Sequence, residues 1–165
     1  MENKKIEVIN NSSGRVGFEL PDLRFKRVWE QKGARIKVDY DILEEALYDP
    51  GVAYLFEEGM LYIEDLKVKQ ALGLEPMEDE GGNPLKAPVK IINLNDSLLK
   101  RATGPMPLTE FSKWFSDLSY EQKGMVADYA VAHECTDFDK NEIIMKGTGI
   151  NVLKAIELNR KAKEK

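Results

Sequence analysis

The sole histidine, His133, stands two residues before the sole cysteine, Cys135, with Glu134, Asp137 and Asp139 close by. It is the one place in the chain where soft and hard metal ligands mix. Zinc sites take about four ligands, mostly paired Cys and His, and one of each falls short. Nucleophilic attack by Cys135 would need His133 as its base, but residues i and i+2 diverge around a helix and no second histidine exists. Asp137-Phe138-Asp139-Lys140-Asn141 copies the first three ligand positions of an EF-hand loop. Glu142 then stands where that turn needs glycine, and Thr148 where the bidentate Glu belongs. Lys146-Gly147-Thr148-Gly149 precedes a helical pattern and offers backbone N–H groups to a phosphate, without the longer glycine loop or the lysine placement of a P-loop. A plainer reading covers all four. His133 ends one helix, where it favours the negative pole, Cys135 packs, Asp137 caps the next helix, and the Gly147–Gly149 stretch is a helix-to-helix turn. Carboxylate pairs such as Glu44-Glu45, Glu57-Glu58 and Glu64-Asp65 are too common here to mark an acid and a base. No enzyme, metal or cofactor is expected.

The strongest remaining feature is basic. From Arg24 to Lys37 six basic residues face a single acid, Glu30, and Phe25 and Trp29 lie among them. Phe25 to Trp29 and Arg35 to Val38 alternate with the period of strands, and Gly33 between them can take the positive φ of a turn, so the segment is expected to be a hairpin. Arg24, Lys26, Arg27, Trp29, Arg35 and Lys37 are then the candidate partner-binding residues. A β-ribbon of this kind holds phosphates and stacks bases, and the same Trp and Arg mixture serves a protein interface. The alternative is a charged outer sheet face with Phe25 and Trp29 turned into the core.

Around these candidates the chain divides in two. Val16, Phe18 and Leu20 alternate as in a half-buried strand. Asp41, with Glu44 three residues on, reads as the cap of a helix carrying Ile42, Leu43, Ala46 and Leu47 on one face, ended by Asp49-Pro50-Gly51. Met60 to Ile63 reads as a buried strand and Leu66 to Leu72 as a helix stopped by Gly73. Residues 75–88 hold three prolines and two adjacent glycines among acids, the marks of a flexible connection. Val89 to Leu94 looks like one more strand, and Asp96 to Arg101 like a short helix. Beyond Pro107 the pattern is helical. Phe111, Trp114, Phe115 and Leu118 fall at i, i+3, i+4 and i+7, Ser119 and Gln122 form a capping box, a third helix runs from Asp137 to Gly147, and a fourth from Ile150 to Ala162. The expected class is α+β, with short antiparallel strands and helices in residues 1–74, an acidic linker over 75–88, and a strand followed by a small helical bundle over 89–165.

At 165 residues, 42% of them hydrophobic, the chain can close one core or two small ones. The longest uncharged apolar runs, such as Val52 to Phe56, fall far short of the about 20 residues a membrane-spanning helix needs. No apolar leader follows Met1 to Lys5, and one cysteine makes no internal disulfide, which fits a reducing cytoplasm. The formal charge of -5 argues against a nucleic-acid coat. Thirteen acids against Lys67 and Lys69 between Asp39 and Glu80 would repel a polyanion beside the basic segment. They would also attract it: the basic hairpin of one copy meeting the acidic region of another makes a heterologous contact that closes into a ring or extends as a lattice.

Val38-Asp39 through Leu43-Glu44-Glu45, then Asp49-Pro50-Gly51, then Gly59-Met60-Leu61-Tyr62-Ile63-Glu64-Asp65, with the later Leu118-Ser119-Tyr120-Glu121-Gln122 and Ile156-Glu157-Leu158-Asn159, resemble small accessory proteins encoded by bacteriophages. The resemblance implies a virion component or assembly factor, in the cytoplasm of a bacterial host or incorporated into virions. The expectation is a non-enzymatic structural protein that contacts other protein subunits and no membrane. The alternative is a small nucleic-acid-binding regulator that uses the basic segment.

Overall fold

In the computed structural model, residues 4–164 are described. They form an α+β protein of two compact units, Met1–Asn93 and Leu94–Lys165. Segment 75–93 therefore belongs with the first unit, and the division falls later than the proline-rich stretch.

Five strands build the first unit: β1 (Lys5–Asn10), β2 (Val16–Leu20), β3 (Phe25–Trp29), β4 (Arg35–Asp39) and β5 (Leu61–Tyr62). β1 was not anticipated, although Ile6 and Val8 alternate with Lys5 and Glu7 and are buried. It is the middle strand of an antiparallel sheet ordered β4-β1-β5, with Ile6 opposite Val38, Val8 opposite Ile36 and Ile9 opposite Tyr62. β2 and β3 pair separately, Val16 opposite Trp29 and Leu20 opposite Phe25. The expected β3–β4 hairpin is thus corrected. Both segments are strands, but they lie in different sheets. The chain between them is tied instead to the end of β1, where Gly33 (φ +85°) donates to the Asn10 carbonyl and Asn10 donates to that of Ala34.

Three helices complete the unit: α1 (Tyr40–Ala46), α2 (Pro50–Glu57) and α3 (Leu66–Ala71). Asp39, not Asp41, is the N-cap position of α1, and it makes no side-chain capping bond. Asp49 starts α2, accepting from the Gly51 and Val52 amides with Pro50 in the first turn, where its missing N–H loses nothing. Asp65 caps α3 in the same way. One core runs through the unit, joining Ile6 and Val8 to Phe18, Trp29, Leu43 and Phe56. The expected strand over Val89 to Leu94 does not form, because the amides of residues 89–91 are held by the Glu75 carboxylate.

The second unit holds α4 (Asp96–Thr103), α5 (Leu108–Ser116), α6 (Tyr120–Ala132), α7 (Phe138–Thr148) and α8 (Val152–Lys163). Asn95, Ser119, Asp137 and Asn151 cap α4, α6, α7 and α8, each through a side chain that accepts a backbone N–H of the first turn. The aromatic stripe of α5 packs as its spacing requires, with Phe111 and Phe115 buried and their rings stacked at 5.6 Å. α7 continues through Gly147, where helix termination was expected, and stops at Gly149, whose φ of +79° provides the left-handed cap. No described helix is long and apolar enough to cross a membrane.

Candidate functional site

The two sheets part the basic residues. Trp29 is fully buried, its indole Nε1 donating to the Val8 carbonyl at 2.9 Å, and Phe25 is buried with it. Both face the core, so neither can stack a base or anchor a partner. Arg24 caps a short 3-10 turn with φ +50°, Lys26 sits opposite Glu19, and the exposed Arg27 guanidinium lies 4.7 Å over the Phe25 ring. In the other sheet Arg35 binds both Glu7 and Glu64, and Lys37 sits opposite Glu7. The charged outer face with inward aromatics is the arrangement observed.

The residues around His133 also separate. His133 ends α6 with its ring stacked 4.0 Å from Tyr129, while the buried Cys135 thiol points at the Thr103 carbonyl, 3.6 Å away. Glu134, between them, pairs with Arg160 at 2.8 Å, and that contact lowers its pKa. Among the described residues no three His, Cys, Asp or Glu side chains gather to hold a metal. The stretch resembling a calcium loop is helical after Asp137, so its carboxylates cannot converge. Lys146 to Thr148 are also helical, which turns their amides inward to the α7 ladder, away from any phosphate.

Two features were not anticipated from the sequence. The first is a buried polar cluster in the first unit. Lys69 of α3 is 3% exposed, and its ammonium stands 3.7 Å from the centroid of the Tyr62 ring with no hydrogen-bond partner among the described residues. Burial lowers its pKa to about 8 against the opposing pull of the Glu75 carboxylate. Glu75, also 3% exposed, accepts from the amides of Val89 and Lys90 at 3.1 Å and of Ile91 at 3.3 Å. The cavity beside them, walled by Phe56, Leu61, Ile63 and Leu74, measures about 10 Å³, room for a single water. The cluster therefore binds the 75–91 segment down and admits no substrate. Its trace in the sequence is Lys69 at i+3 from Leu66 and i−3 from Leu72, a cation on the apolar face of a short helix.

The second feature is an open groove of about 590 Å³ between α7 and α8. Phe138, Asn141, Glu142 and Met145 line the α7 bank, one stripe at i, i+3, i+4 and i+7, and Leu153, Lys154 and Glu157 line the α8 bank. Phe138 is 67% exposed, Met145 48% and Leu153 40%. Asn141, beneath them, is buried and donates to the Cys135 carbonyl at 2.8 Å, while its Oδ1 has no partner among the described residues. The helix from Asp137 is legible in the sequence, but its stripe of Phe138, Asn141, Glu142 and Met145 shows no partner there.

Compared with known proteins, the chain matches no family model, no curated protein and no solved structure at a significant level.

Proposed function

We propose that this protein is a non-enzymatic interaction protein, of the structural and assembly class that the phage resemblance implies, and that it docks other protein through the α7–α8 groove. The observation carrying this reading is the convergence of Phe138, Met145 and Leu153, each at least 40% exposed, on one concave surface. Single exposed apolar residues are ordinary, whereas several around one groove mark a contact surface. Burying such a side chain wholly from water is worth about 1.5–3 kcal/mol; these three are already partly covered, so a partner gains about half of that from each and offsets part of the entropy lost on association. The nucleic-acid reading loses its stacking residues, because Phe25 and Trp29 are buried.

A photo-crosslinking amino acid placed at Leu153, and separately at Arg27, tests this in the producing cell. Protein adducts at 153 are expected. Their absence there, with adducts at 27, returns function to the basic strand and overturns the groove.

A further inference from the structure

The α7–α8 surface carries a projection and a recess side by side. Phe138 stands 67% exposed at the first turn of α7, beside a groove that its own chain leaves open. The banks carry both charges: Glu142 on α7, and on α8 Lys154 with Glu157, which pairs with Lys161 of its own helix at 3.7 Å. Glu142 lies on the α7 bank, tied among the described residues only to Lys146 of its own helix at 3.5 Å, an exposed pair of small energy. Lys154 lies on the α8 bank, and among the described residues its ammonium has no ion-pair partner. A surface that holds both a knob and its hole, with the Glu142 carboxylate on one bank and on the other a lysine that has no ion-pair partner among the described residues, meets the requirement of an isologous contact, in which residue i of one copy touches j of the other and j touches i.

We propose that this groove is occupied by the same face of a second copy of the chain, each Phe138 entering the partner copy's groove between Met145 and Leu153, and each Glu142 meeting the opposing Lys154. The inference rests on the groove being a protein-docking surface and names its occupant. Such a contact closes at two copies, unlike the ring or lattice that a heterologous basic-to-acidic contact would build. The apolar anchors supply the affinity. The charges favour α7 facing α8 of the second copy over α7 facing α7, which would set Glu142 against Glu142.

Sedimentation equilibrium of the full-length chain over a wide concentration range tests it. The protein is expected to dimerise, and Phe138→Glu to weaken dimerisation by about tenfold or more. Glu142→Lys and Lys154→Glu should each weaken it by about twofold to fivefold, and the doubly swapped chain should recover. Because all three side chains are exposed, the variants keep their helical circular dichroism, which is measured alongside. A wild-type chain that stays monomeric overturns the inference, as does a dimer indifferent to Phe138→Glu or a double swap that fails to recover. Crosslinking at Leu153 separates the two levels. Adducts of twice the chain mass support the second copy. Adducts of another mass with a monomeric purified chain overturn it while leaving groove docking intact.

Discussion

The Lys69 ammonium lies 3.7 Å from the centroid of the Tyr62 ring and makes no hydrogen bond among the described residues. A cation there gains the ring quadrupole and the Glu75 charge, but loses its water, and the loss dominates because its pKa falls from 10.5 to about 8. Between those values the unfolded chain binds the proton that the folded chain has released, so stability rises with pH across the window. Below about pH 8 the penalty of holding the cation is fully present. Tyr62, whose pKa burial raises, acts in the opposite sense only above its ordinary value of 10.0, where the folded chain keeps a proton that the unfolded chain loses. Lys69→Met removes that penalty while Glu75 keeps its three amide donors, and should therefore stabilise the protein at pH 7, by about 1–3 kcal/mol. The advantage should shrink between pH 8 and 10. Urea midpoints of both proteins at unit pH steps measure it, and a variant less stable than wild type at pH 7 refutes this account.

A second buried lysine has the opposite expectation. Lys140 of α7 donates to the carbonyls of Ala102 at 2.9 Å and Gly104 at 2.8 Å, at the C-terminal end of α4. There it satisfies acceptors the helix cannot and meets the negative pole of the helix dipole. Lys140→Met leaves both carbonyls without this donor and should destabilise the chain by about 2–4 kcal/mol. The same pair of urea titrations decides whether bonding or burial governs each lysine.

The contrast between these lysines shows what a linear pattern conveys. Periodicity is local, so the strands at Val16–Leu20 and Arg35–Asp39 and the stripe from Phe111 to Leu118 were legible. Capping is local too, and Ser119 and Asp137 cap as their spacing indicates. Partners are not local. β4 pairs with β1 across more than twenty residues of intervening chain, and nothing in Phe25–Trp29 or Arg35–Asp39 distinguishes that from a hairpin. Val89 to Leu94 has the composition of a strand and is none, because a carboxylate 14 residues earlier in sequence takes its amides. The basic segment was visible as composition, but its division between two sheets follows from β1, which was not seen. The apolar spacing on α7 was visible as well, yet only the position of α8 turns it into one bank of a groove.

Glu75 supplies a prediction about order in that segment. Its two carboxylate oxygens serve three consecutive amides, Val89, Lys90 and Ile91, and glutamine offers one acceptor oxygen and no charge. Glu75→Gln should raise hydrogen exchange at these amides by about tenfold or more. Exchange in β1 and β4 should be unchanged. Loss of the carboxylate also removes what holds the Lys69 pKa up, so that pKa should fall below about 8. Unchanged protection at 89–91 would mean that other contacts hold the segment.

Two helical glycines in the second unit should respond to alanine in opposite directions. A Cβ on Gly147 would stand 2.6 Å from Cε1 of Phe115, a buried ring already stacked on Phe111 and unable to swing aside. Gly147→Ala must push α7 away from α5, and overpacking of this kind destabilises by about 1–3 kcal/mol. Gly124 lies inside α6, and a Cβ there meets nothing within 4 Å. Gly124→Ala removes backbone freedom from the unfolded chain with no steric penalty, and should stabilise by about 0.5–1 kcal/mol. Thermal unfolding of the two variants beside wild type reads both signs at once. If both stabilise, helix propensity outweighs packing and the close approach of α7 to α5 at Phe115 is wrong. If both destabilise, Gly124 meets something that its open surroundings do not show.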